Sequence, residues 1–192
     1  GKISDTEMRH LEKLVASYAG SITVRSYPRF NAQVSTLDIK NGISEYRKLK
    51  GHNPDIVIVD SMDLLTDANR RSWGADHERA KRIAVANDLK DLAADEKVWM
   101  VVTYQSTIED REWLNDERNV LTEYNCSEAK GLARPCTHLI SLNQSSAERK
   151  ENVMRLHVAK SRFFKKGDTI KIATDYDNEV FYDGQRTLSL LR

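Results

Sequence analysis

Apolar residues recur along this chain in two rhythms. In "SDTEMRHLEKLVASYAG", Met8, Leu11, Val15 and Tyr18 fall at helical spacing behind a capping box of Ser4 and Glu7, and Gly20 ends the run, so a helix is predicted there. "STLDIKNGISEYRKLKG" predicts a weaker helix in which Ile39, Ile43 and Tyr46 align while Gly42 interrupts. A third helix follows in "DHERAKRIAVANDLKDLAADEK", with Val85, Leu89 and Leu92 on one face. The second rhythm is unbroken. "SITVR" (21–25) reads as a short strand; residues 56–59 of "DIVIVD" and the run "VWMVVT" (98–103) are apolar without alternation, with Trp99 expected in the core. Strands of that kind suit a parallel sheet covered by helices on both faces. The strand–helix–strand unit they form crosses over right-handed, which leaves both carboxyl ends on one edge. Further on, "VMRLHVAKSRFFKKGDTIKIATDYDNEVFYD" alternates into a hairpin-like pair of strands with "FFKKGD" as its turn.

Composition narrows the class of protein. With 192 residues, 40% of them apolar, the chain can build one real core and is short for two, so residues 1–192 are read as a single domain. Its net charge of +1, with acids and bases interspersed, gives no global basic field; a nucleic-acid surface would have to be local. No apolar stretch reaches membrane-spanning length and no signal-peptide pattern opens the chain, so a reducing cytoplasm is the expected setting. Cys126, Cys136 and His138 lie close together but lack the paired short spacing of a zinc site. A Gly-x-Ser-x-Gly elbow is absent from the sequence, which removes one common hydrolase pattern.

Candidate chemistry gathers at the predicted sheet edge. Asp60 closes one strand and Gln105 follows the next, and in open α/β sheets ligands lie beyond the carboxyl ends of the strands. An acid there suits magnesium bound through water to a nucleotide phosphate, and a glutamine one strand over can sense the terminal phosphate. The competing reading makes Asp60 a turn former or helix cap. Lys160 and Arg162 stand at the basic end of the predicted hairpin, where a guanidinium could fork onto phosphoryl oxygens, or where lysines merely protect an exposed edge strand.

The order of segments resembles a known family. "PDIVIVDSMDLL", then "ERAKRIAVANDLKDLAADEKVWMVVTYQS", "LTEYNCSEAKGLARPCTHLISLNQ" and "RLHVAKSRFFKKGDTIKI" follow one another as in the RecA-like motor domain of DnaB-like replicative helicases. The phage and plasmid branch is most similar, because "VRSYPRFNAQVSTLDI" also resembles its segment before the acidic strand. The resemblance runs from about residue 20 to residue 183 and rests on order and spacing. It implies a three-layered α/β RecA-like fold of the P-loop NTPase type, with ATP and Mg2+ as cofactors. Asp60 would be the Walker B acid and would hold the metal through water; Gln105 would be the glutamine ending the next strand; Lys160 and Arg162 would be the Lys-x-Arg pair that one subunit extends into its neighbour's nucleotide site. The working unit would be a homo-oligomeric, hexameric ring drawing single-stranded DNA through its channel.

The resemblance also implies a piece that this sequence lacks. A phosphate loop needs a glycine-rich turn after a strand, then Lys and Ser or Thr, and the one Gly-Lys here is Gly1-Lys2 before Ile3. In the family that strand–loop–helix unit and the catalytic glutamate lie upstream. The chain is therefore expected to be a partial motor domain, inactive alone. Ser61 stands where relatives often carry an aromatic. The stretch 118–138 shows no sustained periodicity and lies between two predicted strands, where long loops are usually functional or disordered. The family's channel-lining loops transfer DNA contacts to Lys130, Gly131 and Arg134, with Gly131 allowing close approach to a phosphate. Two alternatives stay open: another RecA-like ATPase, such as a KaiC-like or recombinase relative, or a non-catalytic binding and assembly module.

Overall fold

The computed structural model describes residue 9 and residues 20–27, 34–68, 77–106, 108, 110–125, 132–178 and 180–183. The chain divides into two compact units, Gly1–Ala32 and Gln33–Arg192. In the first, the helix expected over residues 4–20 lies outside the described residues apart from Arg9, which is helical. Residues 21–25 are described and do not form the expected strand; Ile22 and Val24 lie exposed.

The second unit begins with a two-residue strand β1 (Val34–Ser35) and helix α1 (Thr36–Lys50). Asp38 starts the helix by accepting hydrogen bonds from the amide and the hydroxyl of Ser35, at 2.8 and 2.7 Å. Gly42 does not interrupt it. The helix runs on to Gly51, whose positive φ of 79° closes it in the left-handed conformation that glycine adopts without strain. Strand β2 (Ile56–Val59) leads to a single 3-10 turn (Met62–Leu64) and a short strand β3 (Leu65–Thr66), which pairs in parallel with β1. Helix α2 (Glu78–Glu96) then crosses over to β4 (Trp99–Val102), which lies parallel to β2 in the register Ile56 opposite Trp99 through Val59 opposite Val102.

One face of this parallel pair forms the core. Val57, Val59, Met100 and Val102 pack against Ile39 and Ile43 of α1 and against Val85, Leu89 and Leu92 of α2. The fully buried ones among them, Ile43, Val59, Val85, Leu89 and Leu92, contribute about 1.5–3 kcal/mol each. The opposite face corrects the sequence reading. Ile56, Ile58, Trp99 and Val101 point the other way and are exposed, Ile58 at 70% and Trp99 at 78%, so Trp99 is not a core residue. Strand side chains alternate between faces whatever their polarity, and among the described residues helices cover only one of the two.

After a short helix α3 (Arg111–Asn115), the chain builds a four-stranded antiparallel sheet in the order β5 (His138–Asn143), β6 (Val153–Ser161), β7 (Thr169–Asp175) and β8 (Val180–Asp183). Helix α4 (Ser146–Lys150) joins β5 to β6, with Ser145 and Glu148 forming its capping box. The "FFKKGD" turn falls where expected, between β6 and β7, with Gly167 at a φ of 94°.

Candidate nucleotide edge and basic hairpin

Parallel pairing of β2 with β4 brings Asp60 and Gln105 to one carboxyl edge, as the crossover logic requires. Backbone hydrogen bonds extend the pairing past the strands: Thr103 donates its N–H to Val59 O, and Met62 donates to Thr103 O, both at 3.1 Å. Two side chains close the edge. The Thr103 hydroxyl donates to Asp60 Oδ1 at 2.6 Å, and Asp63 Oδ2 accepts the backbone N–H of Gln105 at 3.2 Å. Asp60 and Gln105 are both exposed, whereas Tyr104, next to Gln105, packs against the core and accepts a hydrogen bond from Arg82 Nη1 of α2 at 3.1 Å. The Asp60–Ser61 peptide is cis. Thr103 and Asp63 acquire roles that the sequence pattern does not assign, because those roles depend on register; a threonine two residues before Gln105 is the one local signal.

The donor set suits magnesium of the nucleotide-borne kind. Mg2+ keeps several waters and takes one or two carboxylates plus substrate phosphates, so it needs no protein cage. Asp60 is an exposed carboxylate with one oxygen engaged by Thr103. Among the described residues no cluster of three or more metal-ligating side chains occurs, so a site made by protein groups alone is not what this edge offers.

A second cluster forms at the hairpin. Lys160 Nζ donates to Ala133 O and, at 3.2 Å, to Arg134 O; Arg162 Nη2 donates to the same Arg134 carbonyl at 3.1 Å, and the Arg162 amide to Thr137 O at 3.2 Å. The expected Lys-x-Arg pair therefore holds the end of the expected DNA loop. Burial pushes the Cys136 thiol up in pKa, against the opposing charges of Lys160 and Arg162. Arg134 is exposed, while Lys130 and Gly131 lie outside the described residues, as does Cys126.

The fold is that of a RecA-like α/β domain: parallel strands with a crossover helix, polar groups at the carboxyl edge and an antiparallel extension. Solved structures bear this out. The chain superposes on a DnaB-like replicative helicase, solved in a study of its interactions with primase, with a TM-score of 0.64 at 19% identity over 78% of this chain and 36% of that one. It superposes on a second solved structure, an ATPase domain, with a TM-score of 0.62 at 20% identity, over 78% of this chain and 51% of that one. The chain thus spans about a third to a half of the structures it matches. No family model and no curated protein matches it. Among the described residues no helix is long and apolar enough to cross a membrane.

Proposed function

We propose that residues 1–192 form part of one motor domain of an ATP-dependent, DnaB-like replicative DNA helicase, a cytoplasmic enzyme that works as a hexameric ring on single-stranded DNA. The observation that carries this reading is the juxtaposition of Asp60 and Gln105 at one carboxyl edge, joined by the Thr103 hydrogen bond to Asp60. In this reading magnesium, held by Asp60 through water, supplies charge neutralisation at the nucleotide phosphates. Gln105 orients toward the terminal phosphate. Lys160 and Arg162 extend to the neighbouring subunit's nucleotide, and Lys130, Gly131 and Arg134 contact the strand in the channel. The exposed apolar face of Ile56, Ile58, Trp99 and Val101 is the surface that a phosphate-loop strand and helix would cover.

The reading is tested in the protein that carries this chain after its upstream segment. That segment should contain a strand followed by G-x-x-x-x-G-K-[ST], and the purified protein should hydrolyse ATP with magnesium, faster with single-stranded DNA. Asp60→Asn keeps the shape and removes the charge; turnover should fall at least a hundredfold while the circular dichroism spectrum stays unchanged. Turnover near the parental rate would return Asp60 to the role of a turn former.

A further inference from the structure

Resting on that reading, the geometry points to Asp63 and Thr103 as positioning residues that lock Asp60 and Gln105 into one unit, so that the metal-site acid and the phosphate-sensing glutamine keep a fixed spacing. Neither residue need touch nucleotide. Asp60 lies one residue past β2 and is exposed, so sheet packing alone leaves its χ1 free to hop between staggered rotamers. Its carboxylate is nevertheless tied by the Thr103 hydroxyl at 2.6 Å, a short O–H···O− bond of the stronger, charge-assisted kind. Gln105 lies beyond the last ladder pair of β4, where a strand end frays unless something binds it. Asp63 does so, through the Gln105 N–H at 3.2 Å.

Both ties run the same way, from donors on the second strand to carboxylates at the end of the first. Asp60, from the first strand, receives a hydrogen from the second; Asp63, after the first strand, receives one from further along the second. Together with the Met62-to-Thr103 backbone bond they span the turn 60–63 and the exit 103–105 as a closed set of bonds. Tyr104 fastens the middle of that exit to α2 through Arg82. Three successive residues, 103 to 105, are thus each held by a different partner. A group that must meet a transferring phosphoryl within a few tenths of an ångström benefits from such support, and loss of an outer partner of this kind typically costs about 10–100-fold in metal affinity or activity.

Existence of the latch and its use are tested separately. In the 192-residue chain, NMR couplings across Asp60 Cα–Cβ should report one χ1 rotamer, averaging in Thr103→Val and returning in Thr103→Ser. Amide exchange at Gln105 should accelerate about tenfold or more in Asp63→Ala and stay slow in Asp63→Asn, which keeps an acceptor oxygen. In the protein bearing the phosphate-loop segment, Thr103→Val should raise the magnesium concentration for half-maximal turnover by about 10-fold or more, with Thr103→Ser restoring it. Asp63→Ala should lower kcat with KM for ATP nearly unchanged, since Gln105 serves the terminal phosphate. Unchanged couplings and exchange, or an unchanged magnesium requirement and kcat in both variants while Asp60→Asn abolishes turnover, overturn the latch and leave the ATPase reading intact. If Asp60→Asn itself turns over normally, the ATPase reading fails and the latch falls with it.

Discussion

The parallel layer and the antiparallel sheet solve the same burial problem in opposite ways. In the β2–β4 pair the buried face is apolar and the polar groups stand at the strand ends. In the β5–β8 sheet Arg155, His157 and Asn143 are buried, while Ile140 and Leu142 are each 58% exposed and Ile170 57%. Strand β6 makes the inversion plain: Met154, Leu156 and Val158 share a face with Ile140, Leu142 and Ile170, and Arg155, His157 and Ala159 occupy the other. Polar burial there is tolerable because partners are supplied. Arg155 contacts Glu148 at 2.7 Å and donates from Nη1 to the carbonyls of Glu117 and Asn119 at 2.7 and 2.8 Å; His157 Nδ1 lies 2.9 Å from the Thr169 hydroxyl; Asn143 accepts the Leu121 amide at 2.7 Å. The segment 117–121 is thereby bound by side chains where a helix would bind by apolar contact. The second unit is thus stabilised by apolar burial in the parallel layer and by an ion pair and hydrogen bonds around buried polar groups in the antiparallel sheet, where the buried Thr174 hydroxyl goes without a partner. Among the described residues both of these sheets leave an apolar face uncovered.

The largest expected effect lies in catalysis and tests whether the antiparallel sheet contributes chemistry as well as structure. In the protein carrying the phosphate-loop segment, Arg162→Ala should lower turnover on the order of a thousandfold while ATP binding is retained, since a trans-acting guanidinium stabilises the transition state more than the ground state. Mixing Arg162→Ala with Asp60→Asn subunits should restore activity at interfaces that pair an intact acid with an intact arginine. Near-normal turnover of Arg162→Ala in verified rings would reduce the hairpin to a solvated edge.

Next in size is Arg155→Met, which strands Glu148 as a buried, unpaired charge. Removing one member of such a pair costs about 3–5 kcal/mol, to be read from the denaturant midpoint. Adding Glu148→Gln should recover a substantial part of it; failure to do so would mean that the carbonyl contacts of Arg155, not its charge pairing, hold the segment 117–121.

The same pair predicts a pH dependence. Burial works against ionisation of Glu148, but the Ser145 amide and the Arg155 guanidinium outweigh it, so the carboxyl sits below the usual carboxylate range. A depressed folded-state pKa contributes stability that is present above the unfolded value, about 4.3 for Glu, and lost as pH falls through the folded value. Thermal melting should therefore shift downward below about pH 4.3, and Glu148→Gln should flatten that shift.

Within the parallel layer the two faces should differ sharply. Leu89→Ala, on the packed side, should cost about 2–5 kcal/mol, whereas Trp99→Ser in the chain of residues 1–192 should stay within about 0.5 kcal/mol of the parent. In the protein with its upstream segment, the Trp99 change should become costly if that segment covers the open face, and equal costs in both proteins would remove that part of the proposal.

What the sequence by itself determined is local. Helical periodicity placed α1 and α2, the continuous apolar runs placed β2 and β4, and the right-handed crossover rule carried Asp60 and Gln105 to a common edge. The turn at 162–168 followed from its glycine and flanking alternation. Tertiary structure alone decided which faces are covered. A run such as "IVIV" gives both faces of a strand the same chemistry, so only the neighbours can show that Val57 and Val59 are packed while Ile56 and Ile58 are open. It also decided the inversion in β6, where alternation marks two faces but burial depends on which partners arrive, and here they are carbonyls and a carboxylate that suit an arginine. Thr103 and Asp63 belong with these. Their roles exist only because strand register sets residues more than forty positions apart at hydrogen-bonding distance, a relation that no local pattern encodes.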